Sequence, residues 1–491
     1  MLLNPKLYEI NTRVWIKRFG KGATLANVPI KFFEELADKG INAVWLLGMW
    51  KTCSSLIDEY CFTPELISEY SKALKDWKRE DIVGSPFAID DYQPNPELGN
   101  FSDLEKLRNK LNKLGIKLIL DYIPNHFGAD TKLIKTNPGI FLKGDEKLFA
   151  DDPYTFFKDK YNGNIYAHGR DPLFPAWQDT IQVNYFSEEA REFMIGKLLK
   201  FSEVCDGVRC DMAMLQLNNI FQNTWLGVLN RKDVKKPKDE FWKSAIEKIK
   251  ITEPDFLFLA EVYWDLEWQL QQLGFDFTYD KRLTDRLAAK DIHAVKAHLM
   301  AEKDYQLKSI RFLENHDEIR AVEKLGKKES LAAAVIISTI QGMKFYFDGQ
   351  FEGKKVKLPV QLGREPIEKV SVTVQTLYSR LLSITSENIF TEGAWTMIEP
   401  LPAANDNNSY ENIFTWQWKQ GKDLRLVVIN FSGITSQCRL KLQLASASNE
   451  IKLTDLLNNV EYNRSLSEIR TAGLFIELKS YHSHIFAFKD S

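Results

Sequence analysis

Several things are scarce in this sequence, and each scarcity narrows what the chain can be. Its 491 residues hold only five cysteines (53, 61, 205, 210 and 438), an odd number with no CxxC pair. That argues against a disulfide framework and against a zinc site, and it fits a reducing, cytoplasmic compartment. Net charge is almost absent: 65 Lys+Arg against 67 Asp+Glu leave −2 at pH 7. The basic stripe that a nucleic acid or an anionic membrane surface requires is therefore missing. Long apolar runs are missing too. The longest, LAAAVIISTI at 331–340, falls far short of the roughly 20 residues of a membrane span, and MLLNPKLYEINTRVW at the start has no basic region leading into an apolar stretch. Internal repeats and low-complexity tracts are also lacking. The expectation is a soluble protein with neither a nucleic-acid nor a membrane partner, and nothing in the sequence indicates an oligomeric state.

What is present is an alternation. Apolar-rich strand candidates occur at INAVWLLG (41–48), KLILDYI (117–123), CDGVRCDM (205–212), DFLFLAEVY (255–263), KSIRFLENHD (308–317) and GMKFYFDG (342–349), with LYEINTRVW near the start and FDFTYD (275–280) making eight. Helical patterns separate them. SDLEKLRNKLNKLG carries Ser102 and Glu105 as a capping box, Leu104, Leu107, Leu111 and Leu114 on one face, and Gly115 as the stop; similar helices fit 187–204, 237–250 and 327–341. Near-continuous apolar strands alternating with helices imply a parallel sheet covered on its outside, and eight units favour a closed (β/α)8 barrel, an α/β fold. Residues 127–184, rich in Asp, Pro, Gly and aromatics, interrupt the repeat and predict a small inserted domain over the barrel's C-terminal face. After about 385, runs such as NIFTWQWKQ, DLRLVVINFS, LFIELK and HIFAFK predict a C-terminal antiparallel β-sandwich over 386–491. The barrel then comprises 1–126 and 185–385.

In such a barrel, chemistry collects where the strands end. In CDGVRCDM, residues two apart share a face, so Arg209 and Asp211 project together while Val208, Cys210 and Met212 pack on the other side. Taken alone, the pair could be a half-buried structural ion pair. Other strand ends weigh against that: LDYIPNH supplies Asp121, Asn125 and His126, LAEVYW supplies Glu261, and LENHD supplies Asn315, His316 and Asp317. Carboxyls crowded around an arginine suit glycoside chemistry, in which one stays ionised as nucleophile while another keeps a proton for the leaving oxygen. Metal-assisted hydrolysis fits less well. There is no HExxH, and Arg209 beside Asp211 would repel a cation.

DYIPNH, GVRCD, AEV and ENHD stand in the order and character of the four short conserved regions of the α-amylase superfamily, glycoside hydrolase family 13, which the chain resembles over about 1–385. GSPFAIDDYQPNPELGN resembles that family's segment before its first conserved region. The resemblance implies Asp211 as the nucleophile forming a covalent glycosyl-enzyme, Glu261 as general acid and then base, and Asp317 as the carboxylate that holds sugar hydroxyls. It further implies Arg209 orienting Asp211 and keeping it ionised, Asp121 bracing Arg209, and His126 and His316 bonding the reacting sugar. Trp264 would offer an aromatic platform, with a core tryptophan as the alternative. Catalysis would need no cofactor, and a structural calcium would use Asn125. The sequence departs from the family at Phe87, where a tyrosine is usual, and at Met214 and Leu215, where starch-cleaving members carry a Lys-His pair. Three functions follow: a retaining hydrolase of α-glucosidic bonds in oligosaccharides or small glucosides; a transglycosylase or phosphorylase using the same intermediate; or a silent carbohydrate-binding scaffold.

Overall fold

The computed structural model describes residues 2–230, 234–445 and 448–490. Eight parallel strands close into a barrel: β1 (Lys6–Asn11), β2 (Ala43–Leu47), β3 (Lys117–Tyr122), β4 (Gly207–Cys210), β5 (Leu257–Ala260), β6 (Phe277–Tyr279), β7 (Ser309–Arg311) and β8 (Met343–Phe347), each paired with its neighbours in sequence and β8 with β1. Strand alternation sorts the side chains into two layers. Leu7, Ala43, Trp45, Leu47, Ile119, Leu259, Phe277, Ile310, Met343 and Phe345 fill the barrel interior. Tyr8, Val44, Leu46, Leu118, Leu120, Val208, Phe258 and Ala260 face the helices outside. Both strand faces are apolar because both are covered. The first strand is shorter than LYEINTRVW implied, since Thr12–Trp15 turns helical after Asn11.

The predicted helices form as Phe101–Lys113, Glu188–Val204, Phe241–Thr252 and Lys327–Thr339. One cap is corrected. The capping box belongs to Asn100 and Asp103, whose side chains and backbone amides bond reciprocally, two residues before the expected Ser102 and Glu105. Overlapping polar residues at the entry offered two registers, and the extended backbone at Asn100 selects the earlier one. Gly115 ends the helix with φ +75°, the left-handed conformation glycine adopts without a steric penalty.

Between β3 and β4 the chain forms two small antiparallel pairs, His126–Gly128 with Thr180–Gln182 and Phe156–Lys158 with Ile165–Ala167. After the barrel, Ala394–Met397, Ile413–Gln420, Asp423–Asn430, Ser483–Lys489, Glu450–Asp455 and Val460–Ser465 make a six-stranded sheet in that spatial order, and Ser436–Leu440 with Leu474–Leu478 a second, two-stranded sheet. The runs LFIELK and HIFAFK, consecutive in sequence, therefore lie in different sheets. The sheet domain is tied to the barrel's outer helices by Trp418 Nε1, which donates at 2.7 Å to Thr339 O at the end of Lys327–Thr339. All five cysteines are free and buried, and no helix among the described residues is long and apolar enough to cross a membrane.

Candidate active site

The barrel register decides which polar side chains meet. Arg209 lies level with Asp121 on β3 and with Leu259 on β5, and Cys210 lies level with Ala260. The ladder continues beyond the strands, since Asp211 N donates to Tyr122 O at 2.9 Å and Glu261 N to Cys210 O at 3.0 Å. Asp211 and Glu261 are therefore side by side, one residue past two adjacent strands and both inward-facing by parity.

Arg209 is their common partner. Its Nη1 donates to Asp211 Oδ1 at 2.8 Å and reaches Asp121 Oδ1 at 3.4 Å, while Nη2 pairs with Glu261 Oε2 at 2.7 Å. The guanidinium is 1% exposed, and the rings of Trp45, Phe87 and Tyr279 lie 5.0, 5.7 and 5.9 Å from it. Asp317 comes from the turn after β7. Asn315 Oδ1 accepts from the Asp317 and Glu318 amides at 2.9 and 3.0 Å, so Asn315 shapes the turn that presents Asp317. His316 is clamped between carboxyls, Nδ1 to Glu9 Oε1 at 2.5 Å and Nε2 to Asp317 Oδ2 at 3.0 Å. The Phe87 ring stands 5.7 Å from that imidazole. The Asp317 side chain is 50% exposed against 8% for Asp211 and 4% for Glu261, so the cluster opens to solvent at Asp317.

The charge balance is uneven: Asp121, Asp211, Glu261, Asp317 and Glu9 share two cationic partners, Arg209 and His316. Burial raises the Asp211 and Glu261 carboxyls above their ordinary range, and Arg209 only partly opposes it. This differs from the expectation that Arg209 would hold Asp211 below its ordinary pKa: the guanidinium is divided among three carboxyls, and desolvation prevails. Asp121 is pushed up to about 7 by burial despite Arg209. Asp317 goes the other way, to about 2, because the His316 imidazolium outweighs its desolvation. His316 rises well above its ordinary value, burial being overridden by Asp317 and Glu9. His126 is buried without a charge partner and falls to about 3, a neutral imidazole near pH 7. Its ring lies 5.3 Å from that of Trp177 in the inserted segment.

Backbone strain concentrates here. Met212, Trp264 and Asp265 adopt φ of +44°, +66° and +63° just after the two central carboxyls, a conformation costly for residues with a side chain. The turn at Met212 aims its amide at Glu261 Oε2, 2.8 Å away. Trp264 is half-buried and packs against the helix-facing core. Met214 and Leu215 are buried and offer no polar side chain to the cleft. Three site members escaped sequence reading: Glu9, Tyr263, whose hydroxyl donates to Glu261 Oε1 at 2.8 Å, and Tyr279. Glu9 had a local signal, being an acid between two apolar residues on a strand.

The residues around Asn125 do not fit a calcium ion. Gln182 Nε2 donates to Asn125 O, Asn125 Oδ1 and Val183 O at 2.9, 3.0 and 3.0 Å, so an amide occupies the point where these oxygens converge. No group of three or more His, Cys, Asp or Glu side chains suited to a metal occurs among the described residues, whereas calcium takes six to eight oxygens, carboxylates among them. Chelation with EDTA is expected to leave the melting temperature and any turnover unchanged. Gln182→Ala should instead cost about 1–3 kcal/mol by stranding buried acceptors, read as a lower melting temperature. A large EDTA effect would overturn this account.

Residues 36–370 match the family model described as "Alpha amylase, catalytic domain". Alpha-amylase 3 of Dictyoglomus thermophilum is 23% identical over 409 residues, 78% of each chain. Maltase A1 of Drosophila melanogaster is 40% identical over 135 residues, 27% of this chain and 19% of that one. Among solved structures, a noncanonic maltogenic alpha-amylase, AmyB from Thermotoga neapolitana, superposes with a TM-score of 0.71 over 99% of both chains at 21% identity, which speaks for the fold.

Proposed function

We propose that this chain, which belongs to the α-amylase family and is a glycoside hydrolase of the α-amylase type, is a retaining enzyme that cleaves an α-glucosidic bond in an oligosaccharide or small α-glucoside. One observation carries the retaining assignment: Asp211 and Glu261 stand on adjacent strands and bind different nitrogens of one guanidinium. Side chains that share one guanidinium from adjacent strands favour a short separation, in keeping with the roughly 5–5.5 Å of retaining enzymes rather than the roughly 6.5–9.5 Å that inverting enzymes need to seat a water.

Asp211 then attacks the anomeric carbon, and Glu261 gives its proton to the departing glycosidic oxygen. Water attacks the glycosyl-enzyme next, and Glu261 recovers the proton. Asp317, ionised and at the opening, would hold sugar hydroxyls, with neutral His126 and cationic His316 beside them. Phe87 supplies a ring face without a hydroxyl. Arg209 keeps both reactive carboxyls in register and Asp121 fixes Arg209. No step calls for a metal or an organic cofactor, and the free, buried cysteines suit a cytoplasmic enzyme.

The test is product analysis after incubation with maltose, maltotriose, sucrose, trehalose, isomaltose, kojibiose, nigerose and glycogen. Hydrolysis of at least one member, absent in Asp211→Asn, is the expected result. Longer products, or phosphorolysis on adding phosphate, would replace hydrolysis by transfer. Binding without turnover across the panel would point to a silent scaffold.

A further inference from the structure

Glu261 is held asymmetrically. Its Oε2 already accepts from the Met212 amide at 2.8 Å and lies 2.7 Å from Arg209 Nη2. Two donors on one carboxylate oxygen leave little basicity there, so a proton bound to Glu261 resides on Oε1. The protein partner of Oε1 is the Tyr263 hydroxyl, 2.8 Å away. Just beyond β5, Val262 is buried in the helix-facing core, while the side chains of Glu261 and Tyr263 on either side of it meet through this bond. A phenol suits this place because it donates to a carboxylate and can still accept from a carboxylic acid.

We infer that Tyr263 is a positioning residue for the proton transfer: it fixes Glu261 Oε1 as the oxygen that delivers and recovers the proton, and it stabilises Glu261 while that proton is on the leaving group. The inference rests on the acid-base reading of Glu261 given above. In the first step the Oε1 proton passes to the glycosidic oxygen, the C1–O bond breaks with its electron pair on that oxygen, and Asp211 forms the new bond to C1. Oε1, now an anion, accepts the Tyr263 hydrogen bond. In the second step water loses a proton to Oε1 as its oxygen bonds C1. Glu261 returns to the acid form, and Tyr263 is unchanged over the cycle.

The sign of the effect follows. A donor to the carboxylate favours its ionised form, so removing the hydroxyl raises the Glu261 pKa. The arm of the kcat/KM profile that falls with rising pH, where the acid form is lost, should move to higher pH in Tyr263→Phe by about one unit or more, as expected for a hydrogen bond to a charged group. Kinetics on two donors separate this from a packing role. The glucose expelled from maltose would depart as an alkoxide and needs the proton, whereas the fluoride expelled from α-glucosyl fluoride needs it little. Tyr263→Phe should lose about 10- to 100-fold in kcat/KM on maltose and no more than about threefold on the fluoride, with an unchanged melting temperature. Equal losses on both donors with an unmoved basic arm would overturn the inference. Glu261→Gln, run alongside, distinguishes the failures. If it is inactive on maltose but active on the fluoride while Tyr263→Phe shows no shift, only the role of Tyr263 falls. If Glu261→Gln hydrolyses maltose normally, the assignment of Glu261 falls, and this inference with it.

Discussion

Asp211→Asn should abolish turnover on every α-glucoside that the unaltered protein cleaves, by about 10⁴-fold or more, because an amide cannot form the glycosyl-enzyme and loss of a nucleophile removes a whole step. Glu261→Gln should cost about 10²- to 10⁴-fold on unactivated donors, the range of general acid-base catalysis. Asn and Gln keep the size of the original side chains, so both proteins should fold. Incubation with a slow-reacting fluorinated glucosyl donor followed by intact-mass measurement gives a direct check: the unaltered protein should gain one glycosyl mass and Asp211→Asn none. Near-normal turnover in either variant would remove the retaining assignment.

Arg209→Met carries the next largest effect, and on two properties at once. The guanidinium is buried with Asp121, Asp211 and Glu261 on its nitrogens, and removing one partner of a buried ionic group costs about 3–5 kcal/mol because the other charges are left uncompensated. Turnover should fall by several orders of magnitude as the two reactive carboxyls lose their common frame. The stability loss should depend on pH with a definite sign. Without Arg209 the carboxyls rise further in pKa, and protonated carboxyls need no counter-ion. The deficit in melting temperature relative to the unaltered protein should therefore be larger at pH 8 than at pH 5. Arg209→Lys should recover part of the stability but little of the activity, since an ammonium is a point charge and cannot hold two carboxyls on a fixed fork. A deficit independent of pH would show that Arg209 serves packing rather than charge.

Much of the site was legible because its logic is local. Arg209 and Asp211 declared themselves by sitting at alternate positions of an otherwise apolar strand, and His126, Glu261, His316 and Asp317 by closing strand-like runs, so parity and strand ends sufficed. The alternation of strands and helices was likewise enough for the barrel, because most of the strands are apolar on both faces. Local signals failed where two readings satisfied the same rule. The helix at Phe101–Lys113 offered two capping registers, and Trp264 suited both a platform and a core.

Distance in sequence set the other limit. Glu9 meets His316 across 307 residues, and only closure of the ring, which sets β8 between β1 and β7, brings them together. Gln182 meets Asn125 across 57 residues because the inserted segment folds back on β3's end; no spacing rule distinguishes that amide from a metal ligand shell. The pKa pattern also belongs to the folded state. A single arginine beside Asp211 predicts a lowered carboxyl, but burial of the carboxyl outweighs that arginine and raises it. The sequence by itself therefore determined which polar residues close the barrel strands and on which strand each rides, since alternation and strand ends are written locally. Tertiary structure alone decided which of them share a proton or a counter-ion, since those depend on distances between strands and on the exclusion of water.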